Sequence, residues 1–115
     1  MTIEPSSTVH VVARHFAKPG KVSDVRDILE RLIPLSRAEA GCLKYELFQN
    51  TSDPADFTFL ETFASDAALA IHAAAPYIVN LPAQMAGLIA QPPEVRVYRQ
   101  VANEVPDGEA DDPRG

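Results

Sequence analysis

Hydrophobic and polar residues alternate in four segments of the chain, and a period of two residues predicts β-strands. The four segments are 8–17, 42–48, 57–63 and 94–101. Lys18-Pro19-Gly20 follows the first segment, and these turn-forming residues predict its end. The segment QNTSDPAD between the second and third segments is also rich in turn formers, so these two strands are expected to pair as a hairpin. Three residues of the second strand are expected to share one face: Leu43, Tyr45 and Leu47.

Apolar residues at three- and four-residue spacing predict a first helix from Lys21 to about Glu39. Its apolar stripe consists of Val22, Val25, Ile28, Leu29, Leu32, Ile33 and Leu35. Pro34 interrupts this pattern, because proline lacks the N–H that would bond to the carbonyl of Glu30. A kink or a break is therefore expected near Pro34.

A second, shorter helix is predicted for the segment DAALAIHAA, residues 66–74. Ser65 is predicted as its N-cap, and Asp66 lies in the first turn, where the helix dipole favours negative charge. Pro76 is expected to end it. The following segment, YIVNLPAQMAGLIA (77–90), is expected to be a further irregular or helical piece.

The resulting order is β-α-β-β-α-β, which is the order of the ferredoxin-like split unit. An α+β fold is therefore predicted, with helices on one face of a four-stranded sheet. The strands nevertheless carry apolar residues on both faces, since Phe57, Phe59 and Phe63 alternate with Leu60. One layer of helices cannot cover both faces, so a second copy is expected to pack sheet to sheet in a homodimer.

Chain length and charge distribution indicate how many domains the protein has and which partners it lacks. A chain of 115 residues has room for one folded domain, predicted at 8–102 after a flexible N-terminus at 1–7. The net charge is −6, of which the segment 103–115 carries −4, because it has five carboxylates against Arg114 alone. This segment is predicted to be an acidic disordered tail. The body has no basic stripe, so no nucleic acid is expected as a partner.

The sequence shows no recognisable targeting signal, so the cytoplasm is the predicted compartment. No apolar run reaches the ~18 residues needed to cross a bilayer, so no membrane association is expected. The first residues, MTIEPSSTVH, lack the basic-then-apolar order of a signal peptide. Cys42 is the only cysteine and can form no internal disulfide, which agrees with a reducing compartment.

One histidine, His72, stands among seven alanines in the segment 61–76. It lies three residues after Leu69, so the two share a helical face and both point to the sheet if Leu69 does. If Ile71 points inward instead, His72 lies on the flank. Two interpretations of the His72 ring are open. It is either a base or donor in a pocket, or a half-buried structural histidine bonded to a backbone carbonyl or to Glu61.

Glu61 alternates with Phe59 and Phe63, so it lies on an apolar strand face, where an ionised carboxylate must be paired. His72 is one candidate partner. The alternative is an ion pair with an arginine, for which there are three candidates: Arg37, Arg96 and Arg99.

Two further reactive side chains have structural interpretations. Cys42 follows Gly41 at the start of a strand, where nothing lowers the pKa of its thiol, and is interpreted as a buried inert residue. His15 lies beside Arg14 and near Lys18, and is interpreted as part of a solvated strand end. The sequence has no glycine-rich phosphate loop and no paired Cys or His ligands, so no metal or other cofactor site is expected.

Two stretches of the chain resemble the antibiotic biosynthesis monooxygenase domain family, including its quinol monooxygenases. They are SRAEAGCLKYELF at 36–48 and FTFLETFASDAALAIHAAAPY at 57–77. The resemblance rests on a Glu-x-Gly-Cys turn, a Glu two residues before an aromatic on the third strand, and a His on the next helix. It implies dimers of ferredoxin-like units whose sheets form a shared barrel, the dimeric α/β-barrel. It also implies oxidation of phenols, anthrones or quinols by O2 without metal, flavin or haem.

The resemblance further implies roles for particular residues. His72 would be the catalytic base or anion-binding donor, and Glu61 its partner. Phe63 stands where some members of the family have a tryptophan, and it would contact an aromatic small-molecule substrate. Tyr77 and Asn80 follow the second helix where they would cap a pocket, and each is either a donor to a substrate oxygen or only a packing or surface residue. Two alternatives stay open at this point: a small-molecule isomerase of the same fold, and a non-catalytic binding or stress-response module in which His72 is only structural.

Overall fold

Four strands form one antiparallel sheet in the order β2-β3-β1-β4. They are β1 (Val9–Phe16), β2 (Cys42–Gln49), β3 (Asp56–Phe63) and β4 (Glu94–Tyr98). The computed structural model describes residues 7–102. The predicted acidic tail (103–115) and, apart from Ser7, the predicted flexible N-terminus (1–7) lie outside the described residues. β2 and β3 pair across the turn-rich segment as a hairpin, as predicted from the residues of that turn.

Helices connect the strands in the predicted order. They are α1 (Val22–Arg37), α2 (Asp66–Ala74), α3 (Pro76–Val79) and α4 (Leu81–Met85). The apolar stripe of α1 buries Val25, Leu29 and Leu32 against the sheet, as its spacing predicts. The order β-α-β-β-α-β confirms the predicted ferredoxin-like α+β fold, and the two short helices α3 and α4 lie in the connection to the last strand.

Pro34 does not divide the first helix, which continues through Arg37. Pro34 lies only three residues before that end, so few helical hydrogen bonds depend on it. The amide of Ala38 still donates to the carbonyl of Pro34 (3.2 Å), which closes the last turn. The predicted break is therefore absent.

The helices cover the sheet face that carries the odd-numbered residues of β1 and β3. Because Val9 pairs with Phe63, odd residues of the two strands lie side by side. The buried core on this face includes Val9, Val11, Ala13, Phe57, Phe59 and Phe63, together with Tyr45 of β2 and Met85 of α4. This face, between the sheet and α2, is where the candidate site lies.

The side chains of Leu43 and His15 do not lie where the sequence predicts them. Leu43 does not share a face with Tyr45, because a β-bulge between Cys42 and Lys44 shifts the register, and Leu43 is 60% exposed. His15 is not solvated but 5% exposed, because strand alternation places it on the same face as Ala13.

The opposite sheet face carries the even-numbered residues of β1 and β3, which are half-buried except for the buried Asp56. The apolar residues of this open face are Val12, Phe16 and Leu60, together with the exposed Phe48 of β2 and Tyr98 of β4. Arg14 lies among them and is paired with Asp56 at 2.9 Å and with Glu94 at 3.3 Å. Between residues 7 and 102, no helix is long and apolar enough to cross a membrane.

Candidate active site

The inward face of α2 carries His72. The hydroxyl of Ser65 accepts a hydrogen bond from the amide of Ala68 (3.1 Å), which confirms Ser65 as the N-cap and sets the start of the helix. Leu69 packs against the core, whereas Ile71 is 67% exposed. His72 therefore points to the sheet and is 5% exposed.

Glu39 holds one ring nitrogen of His72. Its carboxylate oxygens lie 3.0 Å and 3.2 Å from Nδ1. The ring also contacts Phe63, with centroids 4.9 Å apart, and Tyr45, at 5.4 Å. A carboxylate accepts hydrogen bonds, so this contact favours a proton on Nδ1, and a neutral ring protonated there has its lone pair on Nε2.

Glu39 lies in the turn between α1 and β2. This turn contacts α2 where the backbone at Gly41 lies close to Ala68. A Cβ atom on Gly41 would lie 2.4 Å from the Cβ of Ala68, so only glycine fits there. Reasoning from strand and helix patterns missed Glu39 as a site residue. The signal that could have found it is the Glu-x-Gly-Cys turn, which begins with this glutamate.

Glu61 faces the other ring nitrogen. Its Oε1 lies 3.9 Å from Nε2 of His72, beyond hydrogen-bond distance, and Glu61 is 6% exposed. Among residues 7–102 its carboxylate makes no hydrogen bond, and its ionic neighbour is His72. Burial raises the pKa of Glu61 to about 7, and the negative charge of Glu39 adds to the rise.

The arginines considered as partners of Glu61 make other contacts. Arg37 donates through Nε to the backbone carbonyl of Tyr45 (3.1 Å), and Arg99 donates to Asp66 at 3.1 Å. Arg96 donates to the backbone carbonyl of Val95 at 3.4 Å. The structure thus brings Glu61 to His72 and not to these three side chains.

Tyr77, at the start of α3, contacts Glu39. Its hydroxyl donates to the carboxylate of Glu39 and also lies 3.2 Å from the carbonyl of Leu35. Burial and the bond to Glu39 raise the pKa of Tyr77 to about 12, so the phenol stays protonated and remains a donor. We call Glu39, Glu61, His72 and Tyr77 the histidine cluster.

The other predicted site residues have different positions. Phe63 is fully buried against the His72 ring. Asn80 is exposed at the junction of α3 and α4, and within the described part of the chain it makes no side-chain hydrogen bond to the histidine cluster. Cys42 is half-buried and not buried as interpreted from the sequence, and desolvation raises the pKa of its thiol, which favours the unreactive protonated form.

A surface depression of about 300 Å³ lies beside β2, and its lining includes no residue of the histidine cluster. It is lined by Arg37, Cys42, Leu43, Lys44, Tyr45 and Glu46. Tyr45 lines this depression and also contacts the His72 ring, so it connects the surface with the buried cluster. Across residues 7–102, no three His, Cys, Asp or Glu side chains converge as metal ligands.

The fold and the cluster together define a class: a ferredoxin-like α+β protein with a buried histidine between two carboxylates. The family model for antibiotic biosynthesis monooxygenase matches residues 8–81. The chain therefore belongs to the antibiotic biosynthesis monooxygenase family.

Individual relatives agree with this assignment. The chain is 34% identical over 92 residues to "Putative monooxygenase Rv0793" of Mycobacterium tuberculosis, covering 80% of this chain and 90% of that protein. The crystal structure of protein SO0527 from Shewanella oneidensis superposes with a TM-score of 0.79 at 34% identity, covering 84% and 93% of the two chains. A crystal structure described as an antibiotic biosynthesis monooxygenase matches with a TM-score of 0.76 at 31% identity, covering 82% and 99%.

Proposed function

We propose that this protein is a cofactor-independent monooxygenase that oxidises a quinol or a related hydroxyaromatic small molecule with O2. The observation that carries the proposal is the position of His72, whose Nδ1 is bound by Glu39 while Nε2 faces Glu61 among aromatic rings. An imidazole held in this way has the lone pair of Nε2 available for the proton of an aromatic hydroxyl.

The proposed reaction begins with this proton transfer. The aromatic anion passes an electron to O2, and the two radicals combine to a peroxide on a ring carbon. When the O–O bond breaks, one oxygen atom stays on the ring and the other leaves as water. A quinol with a free ring C–H and O2 thus give a hydroxyquinone and water, and all electrons come from the substrate.

The surroundings of His72 suit such chemistry. The ring is 5% exposed, so water is largely excluded from the proton-transfer step. Phe63 and the ring of Tyr77 are proposed to contact the aromatic substrate, and the side chain of Asn80 is proposed to donate a hydrogen bond to a substrate oxygen. Glu61 is proposed to exchange protons with His72, since its pKa of about 7 lies near neutrality.

Oxygen uptake with menadiol tests the proposal. The purified, metal-free protein is expected to accelerate uptake beyond autoxidation, and His72→Ala is expected to reduce the rate by ~10²-fold or more, because it removes the base. Ile71→Ala is the matched control, since it changes an exposed residue of the same helix. The absence of acceleration by the wild-type protein would contradict the monooxygenase proposal.

A second candidate is an isomerase, favoured by the same pair of His72 and Glu61, because proton transfer between two carbons needs a base and an acid but no O2. Turnover of a small hydroxycarbonyl compound under anaerobic conditions would favour this class. If neither reaction occurs, a non-catalytic binding module becomes the better description.

We also propose that the protein acts as a homodimer in the cytoplasm. The open sheet face has half-buried apolar residues, and no helix formed by residues 7–102 covers it, which supports contact with a second copy. The single cysteine supports a reducing compartment.

A further inference from the structure

We propose that Glu39 is a positioning residue that holds His72 in the tautomer able to accept a proton at Nε2. This inference rests on the proposed function, in which His72 is the base. Glu39 would act through His72 and would not touch the substrate.

The geometry favours Glu39 over Glu61 for this role. Both oxygens of Glu39 lie within hydrogen-bond distance of Nδ1, at 3.0 Å and 3.2 Å. Glu61 is 3.9 Å from Nε2, too far to fix the ring by a direct bond. Glu39 therefore decides which nitrogen carries the proton, and Nε2 stays free to react.

Three elements hold the Glu39 carboxylate and its backbone in place. The amide of Glu39 donates to the carbonyl of Ser36 (3.0 Å), and its own carbonyl accepts from the amide of Cys42 (3.1 Å). Tyr77 of α3 donates to its side chain. The side chain of Glu39 is 13% exposed, so water competes little for these bonds.

A negative charge at this position also suits the reaction. When Nε2 accepts the substrate proton, the ring becomes a cation, and the Glu39 carboxylate on Nδ1 stabilises that cation. Replacement by a neutral amide would remove this stabilisation and would allow the ring to adopt the other tautomer, because an amide can donate to Nδ1 as well as accept from it.

The first test is a measurement on the wild-type protein that needs no activity. The ring nitrogens of His72 are observed by ¹⁵N NMR at about pH 8.5, well above the ordinary histidine pKa of ~6.5. The expected spectrum shows Nδ1 protonated and Nε2 unprotonated. A ring protonated at Nε2, neutral or cationic, would overturn the proposal.

The second test uses Glu39→Gln, with Glu30→Gln as the matched control on the exposed side of α1. Glu39→Gln is expected to lower the fraction of the Nδ1-protonated tautomer and to reduce kcat for menadiol oxidation by ~10- to 100-fold with KM nearly unchanged. Glu30→Gln is expected to change neither quantity. An unchanged tautomer or an unchanged kcat in Glu39→Gln contradicts the role of Glu39.

The two proposals can fail separately. If the wild-type protein does not oxidise quinols, the monooxygenase proposal fails, while the tautomer measurement still decides whether Glu39 positions the ring. If the wild-type protein is active but His72 is protonated at Nε2, only the role of Glu39 fails. Should Glu39→Gln not fold, the wild-type spectrum remains decisive.

Discussion

Glu61 shows how burial changes the chemistry of a single residue. A carboxylate on an apolar strand face without a hydrogen bond is costly when ionised, so its pKa rises from the ordinary 4.5 to about 7. Between these two values the folded state keeps a proton that the unfolded state has lost. The stability contributed by this group is therefore greatest below pH 4.5 and is lost as the pH rises to about 7.

Glu61→Gln is expected to remove this pH dependence, because glutamine does not titrate. The variant should gain stability relative to the wild type between about pH 4 and pH 8, by up to about 3 kcal/mol, since a tenfold change in acidity corresponds to about 1.4 kcal/mol. Urea unfolding of both proteins at several pH values measures the difference. If the difference in unfolding free energy between Glu61→Gln and the wild type did not change with pH, the prediction would be wrong.

The stability of Glu61→Gln must be compared with that of the wild type at each pH, because the contribution of His15 to stability has the opposite pH dependence. Burial lowers the pKa of His15 to about 4 from the ordinary 6.5, so its contribution is present above pH 6.5 and is lost as the pH falls to about 4. Its Nδ1 is buried and has no hydrogen-bond partner within the described range 7–102. This contribution is common to wild type and Glu61→Gln and cancels in the difference.

At the scale of elements, the contact between the α1–β2 turn and α2 decides where Glu39 meets His72. Gly41 makes this contact possible, because any side chain there would overlap Ala68. The same glycine accepts a hydrogen bond at its carbonyl from the amide of Ala64 (2.9 Å), which ties the turn to the end of β3.

Gly41→Ala is expected to destabilise the protein by about 1–3 kcal/mol, because the added methyl group forces the turn and α2 apart. Ala68→Gly alone should cost about 1 kcal/mol through lower helix propensity. Combined in one protein, the two changes should cost less than their sum, since the second removes the atom that the first would overlap. Chemical denaturation of the four proteins measures this coupling, and strictly additive effects would contradict it.

Elements with a clear period were predicted correctly, whereas the side-chain pattern of the bulged strand β2 was not. β1, β3 and α1 follow the two-residue and the three- and four-residue spacing of their apolar side chains. Leu43 breaks the pattern of β2, because a bulge depends on the register with β3, which the sequence of one strand does not contain. The arrangement of α3 and α4 likewise depends on packing.

For the whole molecule, the open sheet face is an apolar surface that the helices between residues 7 and 102 leave uncovered. Leu60 lies at its centre on β3, next to Val12 of the central strand β1. The helices pack on the opposite face, so a second copy is the proposed cover.

Leu60→Glu is expected to weaken self-association by ~10²-fold or more, because it would bury an unpaired charge in the interface. Ile71→Glu is the matched control, since Ile71 is exposed on the outer side of α2. Sedimentation equilibrium of the wild type and both variants measures the association. A monomeric wild type at micromolar concentration would argue against the dimer.

The sequence by itself determined the ferredoxin-like order of elements, because the period of apolar residues is a local property of the chain. It also singled out His72 and Glu61, since an ionisable group on an apolar face is visible in the pattern. Only the tertiary structure decided that Leu69 and not Ile71 faces inward, and that Glu39 is the partner of Nδ1. These contacts join residues far apart in the chain, and their distances depend on how α2 packs against the α1–β2 turn.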